Sequence, residues 1–270
     1  MRFKRLISLV LVAIFITSGL AFANEVTFVV NDQTVDHGDM IVLVNGKLYG
    51  CVAEFAQRYG AETEWFENAG LAVVKYGEKY ISFKLNATEV IVDNETLTMD
   101  APSITVENRV YAPIHFLIEQ FSGNFVWNEQ TLTLSLQSEG YTVDNDSIMI
   151  PTYTEEDVLW LARIVDVEAG GGSPEQMLAV ANVVLNRVKS DSFPGSVYDV
   201  IYQEGKYKQF PPAHKESFLV LEPKASSILA AKKALNGENN VEGCLYFNNR
   251  PFSGKGDDLY KVIDGEYFYQ

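Results

Sequence analysis

The 270-residue sequence is poor in the residues that build disulfide frameworks and metal centres. It has only two cysteines, Cys51 and Cys244, which lie far apart in the chain, and we do not expect a bridge between them. Its three histidines are scattered, without the close spacing that zinc ligands show. The composition therefore predicts no disulfide scaffold, no metal site and no bound cofactor.

Basic residues are also scarce, since 21 Lys and Arg stand against 36 Asp and Glu, giving a net charge of −15 at pH 7. Residues 24–150 contain six basic and 19 acidic residues, whereas residues 151–270 contain 12 and 17. Such a chain is not expected to bind nucleic acid or to adsorb to anionic membranes. The second part can approach an anionic polymer more easily, and the acidic first part is a surface for a protein partner at most.

A long apolar run occurs near the start of the chain, from Leu6 to Leu20, directly after two basic residues. The run is followed by Ala21-Phe22-Ala23, and this order is typical of a secretory signal with its cleavage site. The run is short for a membrane span, and no polybasic segment follows it. We therefore predict that residues 1–23 are a signal peptide and that the remainder is secreted without a stable membrane anchor.

An internal repeat organises residues 45–136, where a shift of 62 positions lays one unit on the next and Trp65 on Trp127. Each unit has the pattern of a strand, an amphipathic helix and a further strand around the tryptophan. We expect the two tryptophans to fill the core of this region. The repeat predicts a small α+β domain over residues 24–138.

The second unit of the repeat, VYAPIHFLIEQFSGNFVWNEQTLTLSL, resembles the copper amine oxidase N-terminal-like, or stalk, domain of exported proteins. The resemblance covers about residues 26–137. It implies an accessory module that carries no catalytic copper.

Residues 139–153 are polar and lose periodicity, which predicts a linker whose most flexible point is Asp144-Asn145-Asp146. Residues 154–270 then form a second domain with helices first and a small strand element last. Its first helix is capped by Thr154, and its second opens on Ser173-Pro174-Glu175-Gln176, an N-cap, a proline and a capping-box glutamine. A third helix is predicted over 225–235, and strands are predicted over 245–247 and 267–269.

One carboxylate of the second domain has an unusual setting. Glu168 continues the i, i+3, i+4, i+7 spacing of the apolar residues 161, 164 and 165, so it lies on the apolar stripe of a helix that ends at Gly170-Gly171-Gly172. Desolvation on such a face raises the pKa of a carboxyl group, which is the condition for a general acid near neutral pH. The alternative is a glutamate at a frayed helix end that points into water.

Amide and aromatic side chains occur together in Gln209-Phe210 and in the segment 246–249, Tyr-Phe-Asn-Asn. This combination suits sugar recognition, although core aromatics beside loop amides are an equally good interpretation. Asn182 and Asn186, on the second predicted helix, must find hydrogen bonds. They either brace the glycine segment or contact a substrate, and bracing is favoured.

The run LARIVDVEAGGGSPEQMLAVANVVLNRVKSDSFPGSVYDVIYQ, followed by QF, ALNG, LYFNN and a terminal G-x-x-F-Y, resembles the SleB/CwlJ family of cell-wall hydrolases. The resemblance covers about residues 156–269 and implies a fold similar to lysozyme and lytic transglycosylases, acting on peptidoglycan and often on spore cortex. It implies that Glu168 is catalytic. Near the C terminus the family usually has a histidine where this chain has Glu266. The resemblance further implies substrate contacts for Asn186, Gln209, Phe210, Tyr246, Phe247 and Asn248.

Ordinary glycosidases need two carboxylates at a set distance, and the sequence near Glu168 offers no evident second one. We therefore predict a lytic transglycosylase, in which Glu168 protonates the glycosidic oxygen and then serves as base for the sugar's own 6-hydroxyl. The alternatives are a muramidase that uses Asp199 or Glu204 as second carboxylate and a wall-binding protein without activity. A zinc amidase is disfavoured because His214 is the only histidine of this domain.

Overall fold

The computed structural model describes residues 20–21, 25–205 and 209–270 of the chain. The signal peptide predicted for residues 1–23 lies outside these described residues, apart from a two-residue strand at 20–21. A part rich in sheets is followed by a mainly helical part with a small sheet, and this confirms the predicted α+β class. Of the helices in the described residues, none has the length and apolar character needed to cross a membrane.

The first part of the chain contains two short helices among many strands. The helices are α1 (Val52–Gln57) and α2 (Ile114–Gln120). The strands are β1 (Leu20–Ala21), β2 (Thr27–Val30), β3 (Gln33–Val35), β4 (Ile41–Val44), β5 (Lys47–Cys51), β6 (Glu62–Phe66), β7 (Leu71–Tyr76), β8 (Lys79–Lys84), β9 (Glu89–Val92), β10 (Glu95–Thr98), β11 (Ile104–Val106), β12 (Arg109–Pro113), β13 (Asn124–Asn128) and β14 (Thr133–Gln137).

These strands form three sheets with the orders β1-β4-β5-β12-β11, β10-β9-β8-β7-β6 and β13-β14-β2-β3. Neighbouring strands are antiparallel except for β14 and β2, which run parallel. The predicted repeat is confirmed, because β12 lies 62 positions after β5 and β13 lies 62 positions after β6. The two units meet in one sheet, where β5 and β12 pair antiparallel.

Aromatic and branched residues from all three sheets and both helices fill one core, which includes Phe28, Phe55, Tyr111 and Leu117. Trp127 packs against this core, as expected. The expectation for Trp65 is wrong, since 48% of its surface is exposed. The reason is its position on β6, the edge strand of its sheet, where no further strand covers the ring.

The second part contains five helices and a three-stranded sheet. The helices are α3 (Glu155–Ala169), α4 (Pro174–Val188), α5 (Val197–Ile201), α6 (Glu216–Leu219) and α7 (Ala225–Leu235). The strands are β15 (Tyr246–Asn248), β16 (Leu259–Ile263) and β17 (Glu266–Tyr269), in the order β15-β17-β16. Short 3-10 helices occupy Glu67–Ala69, Asn145–Ser147, Pro211–His214 and Gly256–Asp258.

Helix α4 is the centre of the second domain, because the twelve residues from Gln176 to Arg187 are all buried. Its apolar side chains pack with those of α3 and α7 in one core cluster. On another side, Ala179 and Val183 pack against Phe268 of β17, which is fully buried. The small sheet is therefore held against α4 and cannot move independently of it.

The segment 139–153 differs from the expected flexible linker. Tyr141 is only 6% exposed and belongs to the core of the first domain. Asp144, expected at the most flexible point, forms an ion pair with Arg58. Ile148 pairs with Val35 as an isolated bridge. The sequence pattern is polar because the segment lies on the surface, but it is anchored by Tyr141 rather than free.

The two domains contact each other through α7. Lys232 is 1% exposed, and its ammonium group donates a hydrogen bond to the Thr27 hydroxyl of β2. The same ammonium lies 5.5 Å from the centre of the Tyr153 ring. Lys233 pairs with Glu25 at 3.8 Å. A cavity of about 880 Å³ lies at this junction, lined by residues of β2 and β3, by residues 149–154 and by Lys232.

We predict that Lys232→Met changes how stability depends on pH. Burial lowers the pKa of Lys232 from 10.5 to about 8, so the folded protein loses this proton more readily than the unfolded chain. Relative to the variant, the wild-type protein should therefore gain stability as pH rises from about 8 to 10.5. Thermal unfolding at pH 7 and 9.5 measures this gain, expected as a shift of at least roughly 2–4 °C in the difference between the two proteins. An unchanged difference would contradict a buried ammonium.

Candidate active site

Helix α3 presents Glu168 at its C-terminal turn. The helix starts at a confirmed cap, in which the Thr154 hydroxyl accepts a hydrogen bond from the Asp157 backbone while the Asp157 carboxylate accepts from the Thr154 backbone. Leu161 and Val165 are fully buried against the core. Because Glu168 follows on the same stripe, its carboxyl is drawn partly into the domain.

The carboxyl of Glu168 has a desolvated oxygen. Oε1 is buried and has no hydrogen-bond partner among the described residues. Burial, and secondarily the negative charge of Glu266, raise the pKa of Glu168 to about 6. The buried Oε1 does not fit the alternative of a carboxylate directed fully into water. A carboxyl group in this setting can hold a proton near neutral pH and release it to a bound acceptor.

The glycine segment after α3 makes room for a side chain. A Cβ atom at Gly172 would lie 1.7 Å from Oε1 of Gln176, so only glycine allows the Gln176 amide to occupy this space. Gln176 is 8% exposed, and its amide favours the charged form of Glu266.

The cap of α4 explains why Gln176 is available for this contact. The Ser173 hydroxyl accepts a hydrogen bond from the Gln176 backbone at 3.2 Å, as a cap requires. The Ser173 backbone N–H, which a capping-box glutamine would take, instead donates to the Asp264 carboxylate at 2.9 Å. The predicted capping-box role of Gln176 is therefore replaced by an interaction across the domain.

Two cavities meet at Glu168. The first, of about 460 Å³, is formed mainly by the glycine segment and the start of α4; its lining is Glu168, Ala169, Gly171, Gly172, Ser173, Gln176 and Asp264. The second, of about 280 Å³, carries aromatic, amide and charged side chains; its lining is Glu168, Arg187, Gln209, Tyr246, Phe247, Asn248, Asn249, Phe252 and Glu266. Glu168 is common to both.

The structure thus brings four of the expected residues to the cavity that Glu168 lines, although all are far from Glu168 in sequence: Gln209, Tyr246, Phe247 and Asn248. The cavity between the domains is larger, but Lys232, the ammonium group that lines it, already has Thr27 as partner. We place the site at Glu168 because an unpartnered buried carboxyl oxygen converges there with aromatic faces and amides.

Asn186 and Phe210 lie outside this cavity, in contrast to the substrate contacts expected for them. The Asn186 amide donates to the carbonyls of Val241 and Cys244 at 2.9 and 3.0 Å, so it braces the segment before β15 rather than the glycine segment. Phe210 is 1% exposed and packs its ring beside Phe247 in the core. Both were plausible from residue type, but their side chains are turned into the protein.

Arg187 also lines this cavity, and sequence reasoning did not assign it a role there. It is 3% exposed, and its Nε donates to the Leu245 carbonyl at 2.7 Å. Its guanidinium lies 5.1 Å from the ring centres of Phe193 and Phe210. Desolvation lowers the pKa of Arg187 to about 10, and its Nη1 has no hydrogen-bond partner among the described residues. The signal in the sequence was a lone cation on an otherwise apolar helix.

The other candidate groups lie elsewhere. Asp199 is bonded to Ser196 at the start of α5, and neither it nor Glu204 lines either cavity at Glu168. His214 lies 3.9 Å from Glu204 and also lines neither. Cys244 is a free buried thiol whose pKa burial raises to about 11, which does not suit a nucleophile. Within the described residues no cluster of three or more metal-ligating side chains occurs.

Two parts of the chain match known protein families. Residues 171–269 match the family described as Cell Wall Hydrolase, and residues 29–136 match the family described as Copper amine oxidase N-terminal domain. Both expected resemblances are thereby confirmed. Glu168 lies three positions before the first of these matches begins.

Among curated relatives, the spore cortex-lytic enzyme of Bacillus subtilis (strain 168) is 32% identical over 97 residues, covering 36% of this chain and 30% of that protein. The spore cortex-lytic enzyme of Oceanobacillus iheyensis is 33% identical over 104 residues, covering 38% of this chain and 36% of that protein. The chain thus spans about a third of the length of the curated relatives it matches.

Among solved structures, the catalytic domain of the germination-specific lytic transglycosylase SleB from Bacillus anthracis is 28% identical, with a TM-score of 0.39. The match covers 45% of this chain and 100% of that one. The catalytic domain of the Bacillus cereus SleB protein is 27% identical with the same TM-score, covering 45% of this chain and 95% of that one.

We predict that Asn186→Ala destabilises the protein by about 1–3 kcal/mol, because two buried carbonyls lose their donor. Urea unfolding measures the loss. Asn249→Ala is the matched control, since Asn249 is exposed at the cavity, and it should leave the free energy of unfolding within about 0.5 kcal/mol of wild type. Equal stabilities for the two variants would contradict the bracing role of Asn186.

Proposed function

We propose that the protein is a secreted enzyme that cleaves the glycan strand of peptidoglycan, in the cell wall or the spore cortex, with Glu168 as general acid. The match of the second domain to the Cell Wall Hydrolase family supports the substrate class. The observation that carries the assignment of Glu168 is its buried, unpartnered carboxyl oxygen at the meeting point of two cavities. The predicted signal peptide accounts for delivery to a substrate outside the cytoplasm.

The position of Glu168 between two cavities suits a polymer that is cut in its interior. A glycan strand must place sugar rings on both sides of the bond that breaks, and each cavity offers space for one side. Tyr246 and Phe247 provide flat apolar surfaces for sugar rings, while Gln209 and Asn248 provide amides for hydroxyl groups. The weaker negative charge of residues 151–270 lets this domain approach an anionic wall polymer.

The first chemical step is proton transfer from Glu168. With a pKa near 6, part of its population is protonated at neutral pH, and this proton can pass to the glycosidic oxygen as the bond to the sugar C1 breaks. The resulting Glu168 carboxylate then takes the proton of the sugar's 6-hydroxyl as that oxygen attacks C1. This sequence is the lytic transglycosylase reaction, and its product ends in a 1,6-anhydro ring.

A non-catalytic wall-binding protein is the weaker alternative. Such a protein has no need for a desolvated carboxyl group, whose burial costs stability without a hydrogen bond to offset it. A muramidase that uses Asp199 or Glu204 is also weaker, because neither residue lines the cavities at Glu168.

We predict that Glu168→Gln reduces lysis of purified peptidoglycan about a hundredfold or more, because the amide keeps the shape but cannot donate a proton. Loss of turbidity measures lysis, and circular dichroism confirms that the variant is folded. Glu156→Gln is the matched control, an exposed glutamate on the same helix, and it should retain wild-type activity. High activity in a folded Glu168→Gln protein would contradict the assignment.

We predict that kcat/KM falls as pH rises, with a midpoint near pH 6, because only the protonated form of Glu168 can act as acid.

Product masses test the second step. We expect muramic acid ends that are lighter by one water than reducing ends, together with few new reducing termini. Abundant reducing termini would instead indicate hydrolysis while leaving the role of Glu168 intact.

A further inference from the structure

Glu266 reaches the cavity of Glu168 from the opposite side of the domain. It lies at the start of β17, two positions before Phe268, so both side chains leave the same face of the strand. Phe268 packs on Ala179 and Val183 of α4, which shows that this face is directed toward the helices. Glu266 therefore points from the sheet toward the ends of α3 and α4, and it lines the same 280 Å³ cavity as Glu168.

The two carboxyl groups have matching features and one difference. Each has a buried oxygen without a hydrogen-bond partner among the described residues: Oε1 of Glu168 and Oε2 of Glu266. For Glu168, burial and the charge of Glu266 both raise the pKa, and no neighbour lowers it. For Glu266, burial raises the pKa but the Gln176 amide opposes this by favouring the charged form. A proton available to the pair therefore resides on Glu168, and the negative charge resides on Glu266.

One neighbouring charge opposes this division. Asp264, on the turn between β16 and β17, raises the pKa of Glu266, but its effect is smaller than the opposite effect of the Gln176 amide. Lys224 donates to the Gly170 carbonyl at 3.0 Å and is occupied there. Arg187 lines the cavity from α4 with its guanidinium between aromatic rings. Among the described residues, Glu266 is the charged group whose negative charge raises the pKa of Glu168, and both line the same cavity.

We propose that Glu266 is a second catalytic carboxylate, which stays ionised and stabilises the positive charge that develops on the sugar ring when Glu168 protonates the leaving oxygen. This proposal rests on glycan cleavage by Glu168. In the step, the proton of Glu168 bonds to the glycosidic oxygen, and the electron pair of the C1–O bond leaves with that oxygen. The ring becomes cationic, and Glu266 remains a carboxylate throughout. The 6-hydroxyl then bonds to C1 and returns its proton to Glu168.

A fixed negative charge in a desolvated cavity is an effective way to stabilise such a cation, because the charge needs no reorganisation during the reaction. Although the two side chains are chemically identical, their different environments make Glu168 the acid and Glu266 the anion. Gln176 is a positioning residue in this scheme, since it acts through Glu266. Its place depends in turn on Gly172, which leaves room for the amide.

The test is the pH profile of kcat/KM on purified peptidoglycan for Glu266→Gln. We expect activity to fall at least about thirtyfold. The alkaline limb, which reports Glu168, should shift to lower pH, because the neighbouring negative charge is gone. The acid limb, which reports ionisation of Glu266, should disappear. Glu175→Gln is the control, an exposed glutamate paired with Lys261 of β16, and its profile should match wild type.

Gln176→Leu provides a second readout that a purely structural role would not produce. Loss of the amide should move the acid limb to higher pH while the alkaline limb stays within about 0.3 units, because Glu266 now holds its own proton more tightly. If Glu266→Gln does not fold, the acid limbs of Glu266→Asp and Gln176→Leu show whether ionisation of Glu266 controls that limb.

The outcomes separate the two proposals. A folded Glu266→Gln protein with more than a third of wild-type activity and an unshifted alkaline limb overturns the role of Glu266, while an inactive Glu168→Gln protein keeps the function. An active Glu168→Gln protein overturns the function itself. An unmoved acid limb in Gln176→Leu contradicts the assignment of that limb to Glu266.

Discussion

The burial of α4 on several sides is the constraint on which the rest of the site depends. This helix packs with α3 and α7 through one core and with the small C-terminal sheet through another. Because both cores share one rigid element, Glu168 on α3 and the lining residues of β15 and β17 have fixed positions relative to each other. Asn186 strengthens the arrangement by tying α4 to the segment before β15. A site assembled from a helix end and a distant sheet needs such a shared support.

The start of α4 joins this framework to the electrostatics of the cavity. Ser173 gives its hydroxyl to the helix and its backbone N–H to Asp264, so the turn between β16 and β17 is held at the helix end. Gln176 then extends through the space left by Gly172 toward Glu266. The same few residues therefore cap a helix, dock a turn and favour the charged form of Glu266. A side chain at Gly172 would displace the Gln176 amide from this space.

How far the sequence predicts this structure depends on the range of the interactions involved. The repeat and the partly buried position of Glu168 were predictable, since both follow from spacing along the chain. Substrate contacts of Asn186 and Phe210 were expected from the family resemblance, but a sequence match does not show which way a side chain turns in a packed domain. Asp199 and Glu204 were the candidates for a second carboxylate in the muramidase alternative, but neither lines the cavities at Glu168. Glu266 lies about a hundred positions from Glu168, and only the pairing of β17 with its neighbours brings it there.

The parallel pairing of β2 with β14 gives the first domain a particular response to mechanical load. Thr27 lies opposite Thr133 and Val30 opposite Leu136, so the chain enters beside one end of β14 and leaves from the other end. Tension applied between the N-terminal end of β2 and the C-terminal end of β14 would pull these strands along their length in opposite directions. Their hydrogen bonds would then be loaded together in shear rather than broken one at a time. A protein working within a stressed polymer network would resist unfolding from that direction.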